Sequence, residues 1–276
     1  MQVRSPELPA ACFVATQLLI SLGISEPPLH PHVVLAHRHL ALEELPAFDL
    51  DRLTTEQRRI FGSVRALLNP AEKKIFISPL LSLHQRQWGI YHETGHDMID
   101  WHRELLYLDS EYSLSPQVRK LMEKEANEFA GHLQFLGTRL ATEARELPLD
   151  LTSATLLAQR YNASYESTFR RYVETHQETC ICRVFRIIRL AENEQTLQYH
   201  YFVKPTKPRH HWTFPYQVGQ QLPTSDSLVC LLNQGKLSSG DIIEEMTLAV
   251  KARTVYRHQI FSNGHSVFVL TAPVNL

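Results

Sequence analysis

The stretch YHETGH, residues 91–96, places two histidines four positions apart and a glutamate directly after the first of them. Residues four apart on an α-helix lie on one face, one turn from each other, so the imidazoles of His92 and His96 can reach one metal ion. The residue after the first histidine points toward the side of the metal, where a glutamate can take a proton from water. The spacing therefore predicts two metal ligands, His92 and His96, and a catalytic base, Glu93.

A third ligand is expected because catalytic zinc sites hold the ion with three side chains and water. The segment MEKEANEFAGH, residues 122–132, supplies candidates on a second predicted helix. Glu123 and Asn127 lie four apart on one face, beside alanines that let this helix approach the first closely. We predict that Glu123 binds the metal and that Asn127 orients a ligand imidazole. Glu125 is the alternative ligand, but it projects from the opposite flank of the apolar face.

The sequence around the histidines predicts a helix that follows a β-hairpin. Residues 64–79 resemble two short strands around Asn69-Pro70, the second of them an edge strand. Gly95 is unfavourable inside a helix by about 1 kcal/mol, so we expect another element to pack closely against it. Residues 81–104 contain no proline, and five side chains recur at helical spacing on one side: Trp88, His92, Gly95, His96 and Ile99.

The second helix of the predicted site is bounded by clear signals. Ser115 can cap its start, Pro116 suits its first turn, and Gly137 can close it. Its apolar stripe consists of Met122, Ala126, Phe129, Ala130 and Leu133.

Further helices are predicted on both sides of this pair. Apolar and capping patterns favour helices at 6–22, ending at Gly23, and at 32–40. Another is predicted to begin at Thr54 or Thr55, before a turn near Gly62. Residues 151–176 favour two short helices around residues 162–164.

The pattern changes to strands after about residue 178. Residues 182–190, 197–203, 255–261 and 265–272 are rich in β-branched and aromatic residues, which favour strands. The sequence Ser262-Asn263-Gly264 between the last two predicts a hairpin. We therefore place a domain boundary at residues 176–180.

Composition narrows the class of protein. The 276 residues are enough for two domains, and a net charge of -1 gives no overall attraction to nucleic acid or anionic membranes. The longest apolar run, residues 10–22, is too short to span a membrane and lacks the features of a signal peptide, so it predicts an N-terminal helix. The 4 cysteines are few and scattered, which indicates a reducing cytoplasm. Cys180 and Cys182 lack the two-residue spacer of zinc ribbons, so we predict that they are buried strand residues.

The two helices together resemble a known family. The segments IFISPLLSLHQRQWGIYHETGHDMIDWH and EKEANEFAGHLQFLG resemble the ImmA/IrrE family of bacterial metallopeptidases, over about residues 10–175. The resemblance implies that the two histidines and Glu123 are the metal ligands and that Glu93 is catalytic. It also implies cleavage of helix-turn-helix repressors, which derepresses stress or mobile-element genes. The family often has Met-Pro after its second helix, where this chain has Phe135-Leu136-Gly137, outside the metal shell.

We therefore predict an α+β protein with two domains. Residues 1–177 are predicted to form a mainly helical, zincin-like metallopeptidase domain with a short β-sheet. Residues 178–276 are predicted to form a small β-rich domain that senses a signal or selects the substrate. The metal is predicted to be Zn²⁺, with Mn²⁺ and Fe²⁺ as alternatives. The predicted substrate is a helix-turn-helix repressor in the cytoplasm, with no membrane involved.

The alternative hypothesis is a non-proteolytic, DNA-binding regulator with a structural metal. Residues 157–172 have the rhythm of a helix-turn-helix, with Arg170 and Arg171 on the second helix. The same segment can instead complete the peptidase domain, which the near-neutral charge favours. The basic loop 204–212 is predicted to be solvated rather than to bind an acidic partner or a metal through His210-His211.

The sequence does not identify which residue stabilises the oxyanion. A tyrosine or histidine often serves metallopeptidases in this role. The candidates near the two helices are Tyr91, His102, Tyr107, Tyr112 and His132.

Overall fold

The chain divides into two compact units, Met1–Arg139 with Arg160–Ser164 and Leu140–Gln159 with Tyr165–Leu276. Within its described part the chain has nine helices and two β-sheets, which is the predicted α+β class. The boundary predicted at residues 176–180 stays a prediction. The computed structural model describes residues 9–45, 65–108, 115–176, 178–192, 194–206, 216–237, 240–249 and 254–274.

The first unit holds the predicted site helices. Ser82 and Gln85 form a reciprocal capping box at the start of the helix that carries His92. None of the helices that the structure describes has the length and apolar character that a bilayer crossing requires. In chain order the elements are α1 (Ala10–Leu22), α2 (Pro31–Arg38), β1 (Ala41–Glu44), β2 (Ala66–Asn69), β3 (Lys74–Ile77), α3 (Leu83–Met98), α4 (Asp100–Leu108) and α5 (Pro116–Gln134).

The two N-terminal helices confirm the sequence predictions. Helix α1 ends at Gly23, whose φ of 64° is the left-handed conformation that glycine adopts readily. Helix α2 begins at Pro31, within one residue of the predicted start. The helix predicted at Thr54 or Thr55 and the turn near Gly62 lie outside the described residues.

The three-stranded sheet corrects one prediction. Strands β2 and β3 form the predicted antiparallel hairpin, but β1 pairs with β3 in parallel on the other side. The order is therefore β1-β3-β2, and β3 is the central strand rather than an edge strand. Strand β1 was not predicted because all four of its residues are exposed, so it carries no apolar alternation.

The predicted helix over 81–104 is two helices. The chain leaves the helical conformation at Ile99, where φ is -83° and ψ is 106°, and begins again as α4. Ile99 remains buried, as its place on the apolar side predicted. The break changes the direction of the chain after Met98, and therefore the position of His102.

Helix α5 has the boundaries that its signals predicted. The Ser115 side chain accepts a hydrogen bond from the backbone of Val118, and Pro116 occupies the first turn. The regular helix ends at Gln134. Gly137, with φ of 69°, then donates to the carbonyl of His132 at 2.7 Å, so it closes the helix just beyond its end. All five residues of the predicted apolar stripe are buried.

Gly95 lies at a close contact between α3 and α5. A Cβ atom at Gly95 would lie 3.1 Å from Cδ1 and 3.3 Å from Cβ of Phe129, a fully buried residue of α5. The sequence prediction that something packs against this glycine is confirmed. A larger residue at this position would push α5 away from the histidines.

The second unit is built on a five-stranded antiparallel sheet in the order β5-β4-β8-β7-β6. Its core includes Phe185, Leu197, Val229 and Val267, so helix α9 packs against the face of the sheet to which β4, β5 and β8 contribute these side chains. Cys180 and Cys182 are buried, as predicted. The elements are α6 (Arg139–Glu146), α7 (Leu151–Arg160), α8 (Tyr165–Thr175), β4 (Ile181–Ala191), β5 (Glu194–Val203), α9 (Ser227–Asn233), β6 (Ile242–Ala249), β7 (Thr254–Ser262) and β8 (Ser266–Val274).

Most elements of this unit were predicted from sequence. Helices α7 and α8 flank residues 162–164, and the hairpin at 262–264 joins β7 and β8. Helix α6, strand β6 and helix α9 were not predicted.

Replacing Gly95 by alanine is expected to destabilise the first unit. Overpacking against the buried Phe129 costs about 1–3 kcal/mol, whereas alanine gains about 1 kcal/mol of helix propensity. The free energy of unfolding should therefore fall by up to about 2 kcal/mol, measured by chemical denaturation of the metal-free protein with tryptophan fluorescence.

Gly131→Ala is the matched control. A Cβ there would meet Trp88 at 3.5 Å, which is an ordinary contact, so this variant should be neutral or more stable by up to about 1 kcal/mol. Equal stabilisation by both substitutions would contradict the close packing at Gly95.

Candidate metal centre

The three predicted ligands meet at one point in the first unit. Nε2 of His92 lies 3.2 Å from Nε2 of His96 and 3.3 Å from Oε2 of Glu123. Nε2 of His96 lies 3.7 Å from Oε1 of Glu123. Among the described residues, these three form the one cluster of histidine, cysteine and carboxylate side chains with the spacing of a metal site.

The spacing of the donor atoms fits a tetrahedral metal ion. Ligand bonds of about 2.0–2.1 Å at tetrahedral angles place the donor atoms about 3.3–3.4 Å apart. The observed distances of 3.2, 3.3 and 3.7 Å lie close to that value. Two imidazole nitrogens and one carboxylate oxygen suit zinc, and they also suit manganese and iron.

Asn127 lies beside His92, as predicted. Its Oδ1 is 3.2 Å from Nδ1 of His92, on the side of the ring away from the other donors. An amide oxygen accepts only, so it selects the tautomer in which Nδ1 carries the proton and Nε2 has a free lone pair.

A second histidine contacts His96. Nδ1 of His96 lies 3.1 Å from Nδ1 of His102, which is fully buried. Nε2 of His102 is 3.2 Å from Oε2 of Glu125, although the angle falls short of a hydrogen bond. The same oxygen accepts a hydrogen bond of 3.0 Å from Nε1 of Trp101. Glu125, the alternative ligand considered from sequence, therefore faces Trp101 and His102.

Glu93 is buried between α3 and the sheet. The residue is only 8% exposed, and the backbone of Leu68 in β2 hydrogen-bonds to its side chain. Burial raises the pKa of Glu93, although the charges of His92 and His96 act in the opposite direction. The carboxylate is thus held beside the donor cluster in surroundings that help it to keep a proton.

The remaining groups influence one another's protonation. Burial works against the charged form of His92, but the hydrogen bond with Glu123 and the nearby carboxylates outweigh it and raise the pKa of His92. Hydrogen bonds to His92 and His96 hold the pKa of Glu123 well below its usual range. Burial, with the charge of His96, lowers the pKa of His102 to about 4, so this ring is neutral at pH 7.

A buried ion cluster secures the last turn of α3. The Asp97 carboxylate has no exposed surface and lies 2.9 Å from Arg38 Nη2 and 2.5 Å from Lys73 Nζ. It ties the helix directly after His96 to α2 and to the hairpin. The sequence analysis missed this cluster because its members are 24 to 59 positions apart.

The other oxyanion candidates have different surroundings. The hydroxyl of the buried Tyr91, on α3, donates a hydrogen bond of 2.7 Å to the backbone carbonyl of Leu29, so it joins α3 to the segment before α2. His132 Nε2 lies 2.8 Å from the hydroxyl of Thr16. His102 contacts Nδ1 of His96, on the far side of that ring from the donor cluster. Tyr112 and the side chain of Tyr107 lie outside the described residues.

Arg170, one of the two arginines considered for DNA contact, has partners within the second unit. Arg170 forms an ion pair with Glu174 at 3.3 Å and lies 5.4 Å from the ring centre of Tyr201. His210 and His211 of the basic loop lie outside the described residues.

Comparisons with known proteins add a family and a fold. The model of the IrrE N-terminal-like domain, Peptidase_M78, matches residues 39–172. No protein of curated function matches the chain. A solved Mycobacterium tuberculosis transcriptional regulator is similar with a TM-score of 0.58 and 12% identity, over 97% of this chain and 89% of that chain. At this identity the likeness concerns the fold alone.

The family match covers the whole donor cluster. His92, Glu93, His96, Glu123 and Asn127 all lie within the matched residues. Residues 39–172 match the IrrE N-terminal-like domain of the Peptidase_M78 family, so the family resemblance of the two sequence motifs is confirmed.

Proposed function

We propose that this protein is a zinc-dependent metallopeptidase that cleaves a helix-turn-helix transcriptional repressor. The observation that carries the proposal is the donor cluster of His92, His96 and Glu123 at tetrahedral spacing, with the buried Glu93 beside it. The family of residues 39–172 supports the same chemistry. Manganese or iron are the alternatives to zinc.

The three donors would hold the metal through Nε2 of each histidine and an oxygen of Glu123. When bound there, a divalent ion supplies Lewis-acid chemistry, which lowers the pKa of water and polarises the scissile carbonyl. Glu123 is exposed at the rim of the cluster and stays ionised, so it contributes the negative charge of the donor set.

Glu93 moves the proton in the proposed reaction. Its carboxylate takes a proton from the attacking water and later gives it to the nitrogen of the leaving amine. The raised pKa that burial gives Glu93 makes the protonated form accessible between these two transfers.

The sheet offers a place for an extended peptide. Among the described residues β2 pairs with β3 alone, and the backbone of Leu68 in β2 hydrogen-bonds to Glu93. A peptide that adds a strand at an exposed edge gains backbone hydrogen bonds whatever its side chains are. This arrangement favours a protein substrate in an extended conformation.

The finer parts of the proposal follow the sequence prediction. We assign residues 1–177 to the peptidase domain and residues 178–276 to a domain that selects the substrate or senses a stress or mobile-element signal. The reaction takes place in the cytoplasm, which the free cysteines favour.

A second candidate is a non-proteolytic regulator that binds DNA and holds a structural metal. The M. tuberculosis protein of similar fold is a transcriptional regulator, and α7 and α8 flank a short turn like a helix-turn-helix. The pairing of Arg170 with Glu174 and Tyr201 argues against its insertion into a major groove. Filter binding tests this candidate: salt-dependent affinity for duplex DNA would favour it.

Glu93→Gln should abolish proteolysis and leave metal binding intact. The amide keeps the size of the side chain but cannot take a proton, so the rate should fall by at least about 100-fold. The measurement is cleavage of candidate repressors co-expressed with the protein, together with the metal content of each purified variant. Glu104→Gln, an exposed residue of α4, is the matched control and should cleave like wild type. Cleavage by Glu93→Gln at the wild-type rate would exclude the proposed mechanism.

Glu123→Ala should lose the metal, whereas Glu125→Ala should still bind one ion per chain at saturating metal. Only Glu123 shares the donor cluster, because Glu125 faces Trp101 and His102. Metal analysis of both purified variants after equilibration with excess zinc checks this. Loss of the ion from Glu125→Ala but not from Glu123→Ala would overturn the assignment of the third ligand.

A further inference from the structure

We propose that His102 and Glu125 form a relay that holds His96 in its metal-binding tautomer. The inference rests on the proposed function, because it takes His96 as a metal ligand. His102 and Glu125 are positioning residues in this proposal: neither reaches the reacting atoms, and both act through the imidazole of His96.

The geometry places three groups in series. Nδ1 of His96 faces Nδ1 of His102 at 3.1 Å, and Nε2 of His102 faces Oε2 of Glu125 at 3.2 Å. Trp101 donates to the same carboxylate oxygen at 3.0 Å and packs edge-on against the His102 ring. His102 is fully buried, so water cannot replace its partners.

Only one placement of the imidazole protons of His96 and His102 is compatible with metal binding. A neutral imidazole carries one donor and one acceptor, and His96 must keep Nε2 unprotonated to bind an ion. His96 therefore donates from Nδ1, and His102 accepts at its Nδ1. The proton of His102 must then be on Nε2, the atom that faces Glu125.

The opposite arrangement would prevent metal binding. If His102 donated from Nδ1, His96 would carry its proton on Nε2, in the middle of the donor cluster. The negative carboxylate of Glu125 disfavours this state, because it attracts the proton of His102 to Nε2. Carboxylate partners of ligand histidines act in this way at many metal sites, and losing them weakens metal affinity by about 10–100-fold.

The two ligand histidines are thus fixed by different means. Asn127 accepts from Nδ1 of His92 directly, from an exposed position on α5. His96 is fixed by a neutral ring that is itself fixed by a carboxylate from the opposite flank of α5. Helix α5 therefore supplies one ligand, Glu123, the acceptor for His92, Asn127, and the carboxylate at the end of the His96 relay, Glu125.

The test is the zinc dissociation constant of the full-length protein, measured by competition with a chromophoric chelator. His102→Phe keeps a ring but removes both nitrogens, so affinity should fall by about tenfold or more. His102→Gln restores an acceptor for His96 and should stay within about threefold of wild type. Glu128→Gln, on the same helix, is the matched control and should bind like wild type.

Glu125→Ala keeps the test decisive if His102→Phe does not fold, since Glu125 is at the edge of the buried region with 21% of its side chain exposed. It should bind zinc about tenfold more weakly than wild type while still reaching one ion per chain. The double variant His102→Phe/Glu125→Ala should be no weaker than His102→Phe alone, because groups in series are not additive.

Each outcome separates this inference from the proposed function. A loss of less than about tenfold in both single variants, an equal loss in His102→Gln and His102→Phe, or additive losses in the double variant would overturn the relay. Wild-type protein that binds no zinc would instead overturn the proposed function, and the relay with it. Unfolding temperatures of the metal-free variants confirm that each is folded.

Discussion

The close contact between Gly95 and Phe129 is the constraint on which the candidate metal centre depends. It sets the separation of α3 and α5, and each helix carries part of the donor set. Because the glycine precedes His96 directly and lies three residues after His92, this close contact lies beside the histidines. At this separation the carboxylate of Glu123 lies 3.3 Å from Nε2 of His92 and 3.7 Å from Nε2 of His96. A glycine in a helix interior lowers helix stability, but here the missing Cβ leaves room for Phe129 and so lets the two helices assemble the site.

Contacts at the Nδ1 atoms of the two histidines orient their Nε2 donor atoms. Asn127 and His102 meet the Nδ1 atoms of the two histidines, so both Nε2 lone pairs point at the same place. The buried Asp97, paired with Arg38 and Lys73, fixes the last turn of α3. Burial of Glu93 then gives the carboxylate next to the donors a raised pKa. The chemistry of the centre therefore arises from packing around a small number of polar groups.

The accuracy of sequence-based prediction varied with how local the signals are. Helix α5 was predicted closely because its cap, first-turn proline, apolar stripe and closing glycine are all signals within one segment. Strand β1 has no such signal, since it is four exposed residues held by pairing with β3. The break at Ile99 was also missed, because the apolar spacing continues through it. In a continuous helix, six residues would turn His102 by about 240° from His96, away from contact.

The sequence by itself predicted the family and picked out His92, His96 and Glu123 as a set that the structure brings together, because helical spacing fixes which side chains share a face. It also indicated, from Gly95, that another element packs closely against this helix. Only the tertiary structure decided what lies behind the donors: the contact of His102 with His96, the place of Glu125 against Trp101 and the burial of Asp97 between two cations. The physical reason is that periodicity specifies faces within a helix, whereas contacts between elements depend on breaks, strand pairing and packing that no single segment encodes.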